Sequence, residues 1–146
     1  MKELKTEINI SAPKEKVWDL LTDFERYPNW NPFIKSIKGT LKVRLRLEVQ
    51  VQPPDSGVFK FKPRVTSFKY HQEFSWLGSL LMYGIFDGHH IFEIEENNDG
   101  STTLIHREEF SGILVPFMWK QLNTKTRAGF ELMNEALKKL AEDESH

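Results

Sequence analysis

ISAPKEKVWDLLTDFERYPNWNPF, from Ile10 to Phe33, and TTLIHREEFSG, from Thr102 to Gly112, bracket an aromatic-rich middle. In the first stretch Pro13 suits the first position of a helix. Glu15 has the spacing to cap it around Ala12, and Val17, Trp18, Leu20 and Leu21 supply its apolar surface. Thr22 and Glu25 repeat the capping spacing, while Pro28 and Pro32 hold any second helix to a short segment. Just upstream, Leu4, Thr6, Ile8 and Ile10 alternate with Lys5, Glu7 and Asn9, as in a strand with one buried face. Beyond the second stretch, Val115, Met118, Trp119, Leu122, Thr126, Gly129, Phe130, Met133, Leu137 and Leu140 stripe one face of a helix running to about Ala141. Such a helix is roughly 35–40 Å long, enough to cross a small sheet. Gly129 would let a neighbour approach near its middle. The expected fold class is α+β: a curved antiparallel sheet around a long C-terminal helix, with two short helices, suited to enclosing an apolar ligand.

The middle of the chain supplies the other strands. From Leu41 to Val51, Leu41, Val43, Leu45, Leu47, Val49 and Val51 alternate with Lys42, Arg44, Arg46, Glu48 and Gln50, which predicts the clearest strand of all. Pro53, Pro54, Asp55 and Gly57 mark the turn that follows. Further strands are expected over 58–67, 69–77, 88–95 and 102–110. Pro63 points to an edge or an irregularity, and Asn97 to Gly100 (NNDG) reverses the chain between the last two.

With 146 residues the chain reads as a single domain over 1–146, with a solvated tail near 142–146, in the terminal AEDESH that starts at Ala141. Hydrophobic residues make up 39% and charged residues 28%, the balance of a globular protein. Twenty basic and 21 acidic residues leave a formal charge of -1, so no nucleic-acid partner is expected. The absence of cysteine removes disulfides, thiolate catalysis and cysteine-ligated metals. No secretory signal and no apolar run of the roughly 20 residues that span a bilayer are visible, so a cytoplasmic protein without integral membrane association is expected.

In order and spacing, SAPKEKVWDLLTDFERYPNWNPF, FKPRV (Phe61–Val65), FDGHHIFEIE (Phe86–Glu95), TTLIHREEFSGILVPFMW and RAGFELMNEAL resemble one known family over nearly the whole chain. It is the polyketide cyclase/dehydrase-like branch of the START/Bet v 1 superfamily, also called SRPBCC. The resemblance implies a helix-grip fold, in which an antiparallel sheet, two short helices and a long C-terminal helix enclose a cavity. Related domains bind lipids, hormones or polyketides; some catalyse cyclisation or dehydration, and others serve stress-response or regulatory systems. A shared fold raises the expectation of a pocket more than that of a reaction. This chain departs from the family's glycine-rich connection before FDG, carrying Ser79, Leu80, Leu81, Met82 and Tyr83 between Gly78 and Gly84. That segment suits a pocket lid, a buried turn or a contact between copies in a homo-oligomer.

Strand parity locates the polar chemistry. His90, Phe92 and Ile94 share one face, as do Leu104, His106, Glu108 and Phe110, and the turn sets His90 approximately opposite His106 or Glu108. A buried polar group needs a partner, so His90 and Glu108 are the candidate pair, for proton transfer, for holding a polar ligand head, or for satisfying one another structurally. His89 and Glu109 have the opposite parity. His90, His106 and Glu108 lack a recognised metal spacing, and no phosphate-binding loop, dinucleotide fingerprint or activated serine is evident, so neither metal nor cofactor is expected. The candidate ligand contacts are Phe59, Phe61, Phe74, Trp76, His90, Phe92, His106, Glu108, Trp119 and Met133, with Phe130 beside them; each aromatic could equally be core. Trp18 suits helix packing, and Trp30 suits closing the core or covering the domain entrance.

Three functions follow. The leading one is binding or sequestration of a small hydrophobic or amphipathic molecule with a polar group. The second is a cyclase or dehydratase acting on a polyketide-like or other apolar substrate. The third is a protein-interaction domain with a filled cavity.

Overall fold

The computed structural model of the protein describes residues 1–80 and 82–143. Strand β1 (Lys2–Ile10) buries Leu4, Thr6 and Ile10, as its alternation requires. Pro13 stays extended at the N-cap of α1 (Lys14–Thr22), which buries Val17, Trp18 and Leu21. A 3₁₀ turn (Phe24–Arg26) leads to the short α2 (Tyr27–Trp30). Tyr27 seals this corner: its hydroxyl donates to the Leu21 carbonyl, and burial pushes the ionisation of the phenol far upward. Asn31 ends α2, its Oδ1 accepting the N–H groups of Phe33 and Ile34.

The strands form two antiparallel sheets rather than the single curved sheet expected. One has five strands in the order β1-β8-β7-β6-β5, and the other has three in the order β2-β3-β4. The longer sheet contains β5 (Arg64–Lys69), β6 (Glu73–Leu80), β7 (Phe86–Glu96) and β8 (Thr102–Ser111); the shorter contains β2 (Ile34–Lys38), β3 (Glu48–Val51) and β4 (Phe59–Phe61). They do not curl into one closed surface, and two local events explain the division. Pro63 has no N–H for a ladder, and there the expected strand over 58–67 splits, β4 going to one sheet and β5 to the other. Arg44 takes a positive φ of 81°, so the alternating run from Leu41 turns before it can extend, and β3 begins only at Glu48. Val43 and Leu45 are consequently 43% and 44% exposed. The backbone of this irregular segment bonds across to 63–65, through Arg44 N–H to the Val65 carbonyl and Leu47 N–H to the Pro63 carbonyl.

The C-terminal helix is also interrupted. It runs as α3 (Val115–Gln121), a π-helical turn (Leu122–Thr126) and α4 (Arg127–Glu142). Thr124 Oγ1 donates back to the Lys120 carbonyl at 2.8 Å, the kind of side-chain intrusion that disturbs a helical ladder. On α4, Phe130, Met133 and Leu137 are fully buried. Gly129 admits the ring of Phe33, with which any added Cβ would collide, so the close approach read from the sequence is present.

Candidate functional site

Strands β7 and β8 pair with His90 opposite Glu108, Phe92 opposite His106 and Gly88 opposite Phe110. The alternating face that carries Phe86, Gly88, His90 and Phe92 therefore meets the face that carries His106, Glu108 and Phe110. Gly88 has a specific consequence: a Cβ there would strike Glu108 Oε2, so the glycine leaves room for the carboxylate to lie along the sheet. Glu108 Oε1 then stands 3.3 Å from His90 Nδ1.

From His90 a chain of polar contacts runs into the core. His90 Nε2 lies 2.7 Å from His106 Nε2, and His106 Nδ1 lies 2.8 Å from Asn134 Oδ1 on α4. Asn134 Nδ2 donates to Thr6 Oγ1 at 2.9 Å, and Thr6 Oγ1 donates to the His106 carbonyl at 2.8 Å. The last bond sets the direction of the rest. Because the Thr6 proton is committed to a carbonyl, Thr6 must accept from the Asn134 amide. Asn134 Oδ1 must then accept from His106 Nδ1–H. Burial, and then the neighbouring His90, hold the His106 imidazole well below its ordinary range, against the opposing pull of Asn134. His106 is thus neutral, with a bare Nε2 that accepts from His90 Nε2–H. The other ring nitrogen of His90, Nδ1, is the one turned toward Glu108.

His90 and Glu108 reach a cavity of about 170 Å³. Its walls come from three places: Leu80, Phe86 and Phe110 of the longer sheet, Val51, Phe59 and Phe61 of the shorter one, and Met118 and Leu122 of the interrupted helix. Of the candidate contacts, Phe59, Phe61, His90 and Glu108 border this space. Phe74, Trp76, Phe92, His106 and Met133 do not; they are buried behind it, as is Phe130. There Phe130 stacks on His106 with ring centroids 4.0 Å apart. Trp119 is half-buried against the core and does not line the cavity; the ammonium of Lys2 lies 5.7 Å from its ring. Trp18 packs edge-on to Phe74, and Trp30 packs on Tyr27. Strand parity could have found Phe86 and Phe110, which share faces with His90 and Glu108. No local signal marked Phe33 or Lys125, which also line the space.

Of the segment between Gly78 and Gly84, Leu80 lines the cavity while Met82 and Tyr83 are 64% and 79% exposed; Leu81 lies outside the described residues. Among the described residues no three His, Asp or Glu side chains gather in a way that could hold a metal ion, and no helix is long and apolar enough to cross a membrane.

In overall structure the chain is similar to a hypothetical protein from Helicobacter pylori, with a TM-score of 0.79 and 14% identity over 96% of this chain and 88% of that one. A protein from Thermus thermophilus gives 0.75 and 14%, over 98% and 100% of the two chains. The di-domain ARO/CYC StfQ from the steffimycin biosynthetic pathway gives 0.76 and 11%, over 97% of this chain and 51% of that one. At these identities the likeness is one of fold. No curated protein matches the sequence. Residues 1–142 match the family of polyketide cyclase / dehydrase and lipid transport proteins, and the chain belongs to that family.

Proposed function

We infer that this protein binds a small, largely apolar molecule in the cavity between its sheets and the interrupted helix, with His90 and Glu108 meeting a polar group of the ligand. The observation that carries this reading is an apolar cavity ending on a recessed acid–base pair. Size narrows the ligand. A dry cavity of roughly 150 Å³ holds one benzene ring, so about 170 Å³ suits a molecule of one or two rings rather than the whole of a long lipid. Burying about 150 Å² of apolar ligand surface contributes about 4 kcal/mol, before the loss of translational and rotational freedom. Micromolar affinity needs about 8 kcal/mol, so the polar end must add substantially.

A second reading is favoured by the pairing of an imidazole with a carboxyl at the cavity wall. His90 and Glu108 both border the cavity, and a neutral His106 fixes the far side of the imidazole. That arrangement suits general acid–base chemistry on a carbonyl or hydroxyl, as a cyclase or dehydratase would need. Membership of a family whose description includes cyclisation and dehydration supports the same chemistry.

Native mass spectrometry of gently purified protein, followed by denaturing extraction, tests both readings. A recurrent bound compound is the expected result. Glu108→Gln should keep the fold, and loss of turnover of that compound would establish catalysis, whereas retained turnover would remove Glu108 from that role. Protein free of any compound, and refusing varied apolar probes, would instead favour a protein-interaction role for the exposed Met82 and Tyr83.

A further inference from the structure

The helical wall of the cavity carries polar groups that neither the core nor the His90–Glu108 pair uses. Gln121, Lys125 and Thr126 all line the space. Gln121 and Lys125 stand four residues apart and so share a helix face, and Thr126 joins them at the end of the π turn over Leu122–Thr126. Among the described residues the side chains of these three have no hydrogen bond or ion pair. Thr124, Asn123 and Arg127, in the same turn, are by contrast occupied with the helix and with each other. Three side chains that carry an ammonium, an amide and a hydroxyl thus border a largely apolar space with no hydrogen bond or ion pair among the described residues.

Charge defines what they would take. Lys125 is the one lysine or arginine among the described residues that line the cavity, and no ion pair holds it. One positive charge flanked by neutral donors matches a monoanion. Bidentate recognition of a dianionic phosphate is the work of arginine forks, and among the described residues no arginine lines this space. The Glu108 carboxyl on the sheet wall also orients an anion, because a ligand carboxylate is disfavoured beside it and favoured at the helix.

We propose that the ligand is a small apolar monocarboxylate whose carboxylate seats on Lys125, assisted by Gln121 and Thr126, while its other end meets His90 and Glu108. This rests on the binding function inferred above and names its chemical class. The contrasting role for Lys125 is only to cover apolar surface with its methylene stem. Lys125→Met separates the two, since methionine keeps an apolar stem and removes the charge.

The test is calorimetric titration of the wild-type protein and Lys125→Met with 3-(4-hydroxyphenyl)propanoate and with its neutral amide, in low salt at neutral pH. The wild type should bind the acid roughly tenfold or more tightly than the amide, the scale of one charge-assisted hydrogen bond. Lys125→Met should bind the amide as the wild type does and lose the preference for the acid. Equal wild-type affinities, or a preference that survives in Lys125→Met, would overturn the carboxylate assignment while leaving apolar binding intact. Failure of both probes to bind would remove the binding function, and this assignment with it.

Discussion

At His106 burial outweighs every other influence on protonation. The ring is fully enclosed, stacked against Phe130 and Phe92, and both lost hydration and the adjacent His90 oppose its charged form. Its folded pKa therefore lies below its unfolded value, and below about pH 6.5 the unfolded chain binds the extra proton. Stability from this group is complete above that pH and falls as the solution is acidified. Between pH 7.5 and 5.5 the loss should be about 1.4 kcal/mol, read from urea unfolding at the two pH values. Nitrogen-15 NMR of the ring should show Nδ1 protonated and Nε2 bare throughout that range. A ring that becomes charged above pH 6, or that carries its proton on Nε2, would break the argument for the directed polar chain. The pairing of His90 with Glu108 was legible from parity within a single hairpin. The partners of His106 were not, because Thr6 and Asn134 stand 128 positions apart and meet only when α4 lies on β1.

Among the elements, the C-terminal helix was legible in extent and illegible in its interruption. Its apolar stripe is a local pattern, whereas the π turn, where the Thr124 hydroxyl returns to the Lys120 carbonyl, is not announced by a single threonine. Gly129 shows how packing overrides helix propensity. Alanine there would gain about 1 kcal/mol of intrinsic helicity. Its methyl would meet the Phe33 ring, which is 2% exposed and held against Phe130 at 5.4 Å. Overpacking typically costs about 1–3 kcal/mol. Gly129→Ala should therefore lower the urea midpoint despite the better helix former, and Phe33→Leu in the same chain should recover much of the loss. A midpoint raised by Gly129→Ala alone would mean that the ring moves aside freely. The run from Leu41 failed for another reason. Its alternation is strict, but Arg44 at a positive φ turns the chain, and 44–47 bonds across to 63–65 instead of running on into β3.

For the molecule as a whole, the separation of the sheets is what makes the cavity, because Phe59 and Phe61 stand on one sheet and Phe86 and Phe110 on the other. The sheets should also differ in stability. Strand β7 is paired on both sides, while β4 is a three-residue edge with Phe59 43% exposed. Hydrogen exchange followed by mass spectrometry should find the amides of β3 and β4 opening well before those of β7 and β8. Equal protection of the two sheets would show that they unfold as one unit. The sequence by itself determined the α+β class, the faces of β1, β7 and β8, the reversal at Asn97–Gly100 and the apolar side of the final helix. Each of these follows from spacing among near neighbours along the chain. Only the tertiary structure decided that the strands divide into two sheets, that Phe74, Trp76 and Phe92 lie behind the cavity rather than around it, and that Lys125 faces into it. Those outcomes depend on which distant segments find ladder partners and on where a helix breaks, and neither has a period that a linear pattern can carry.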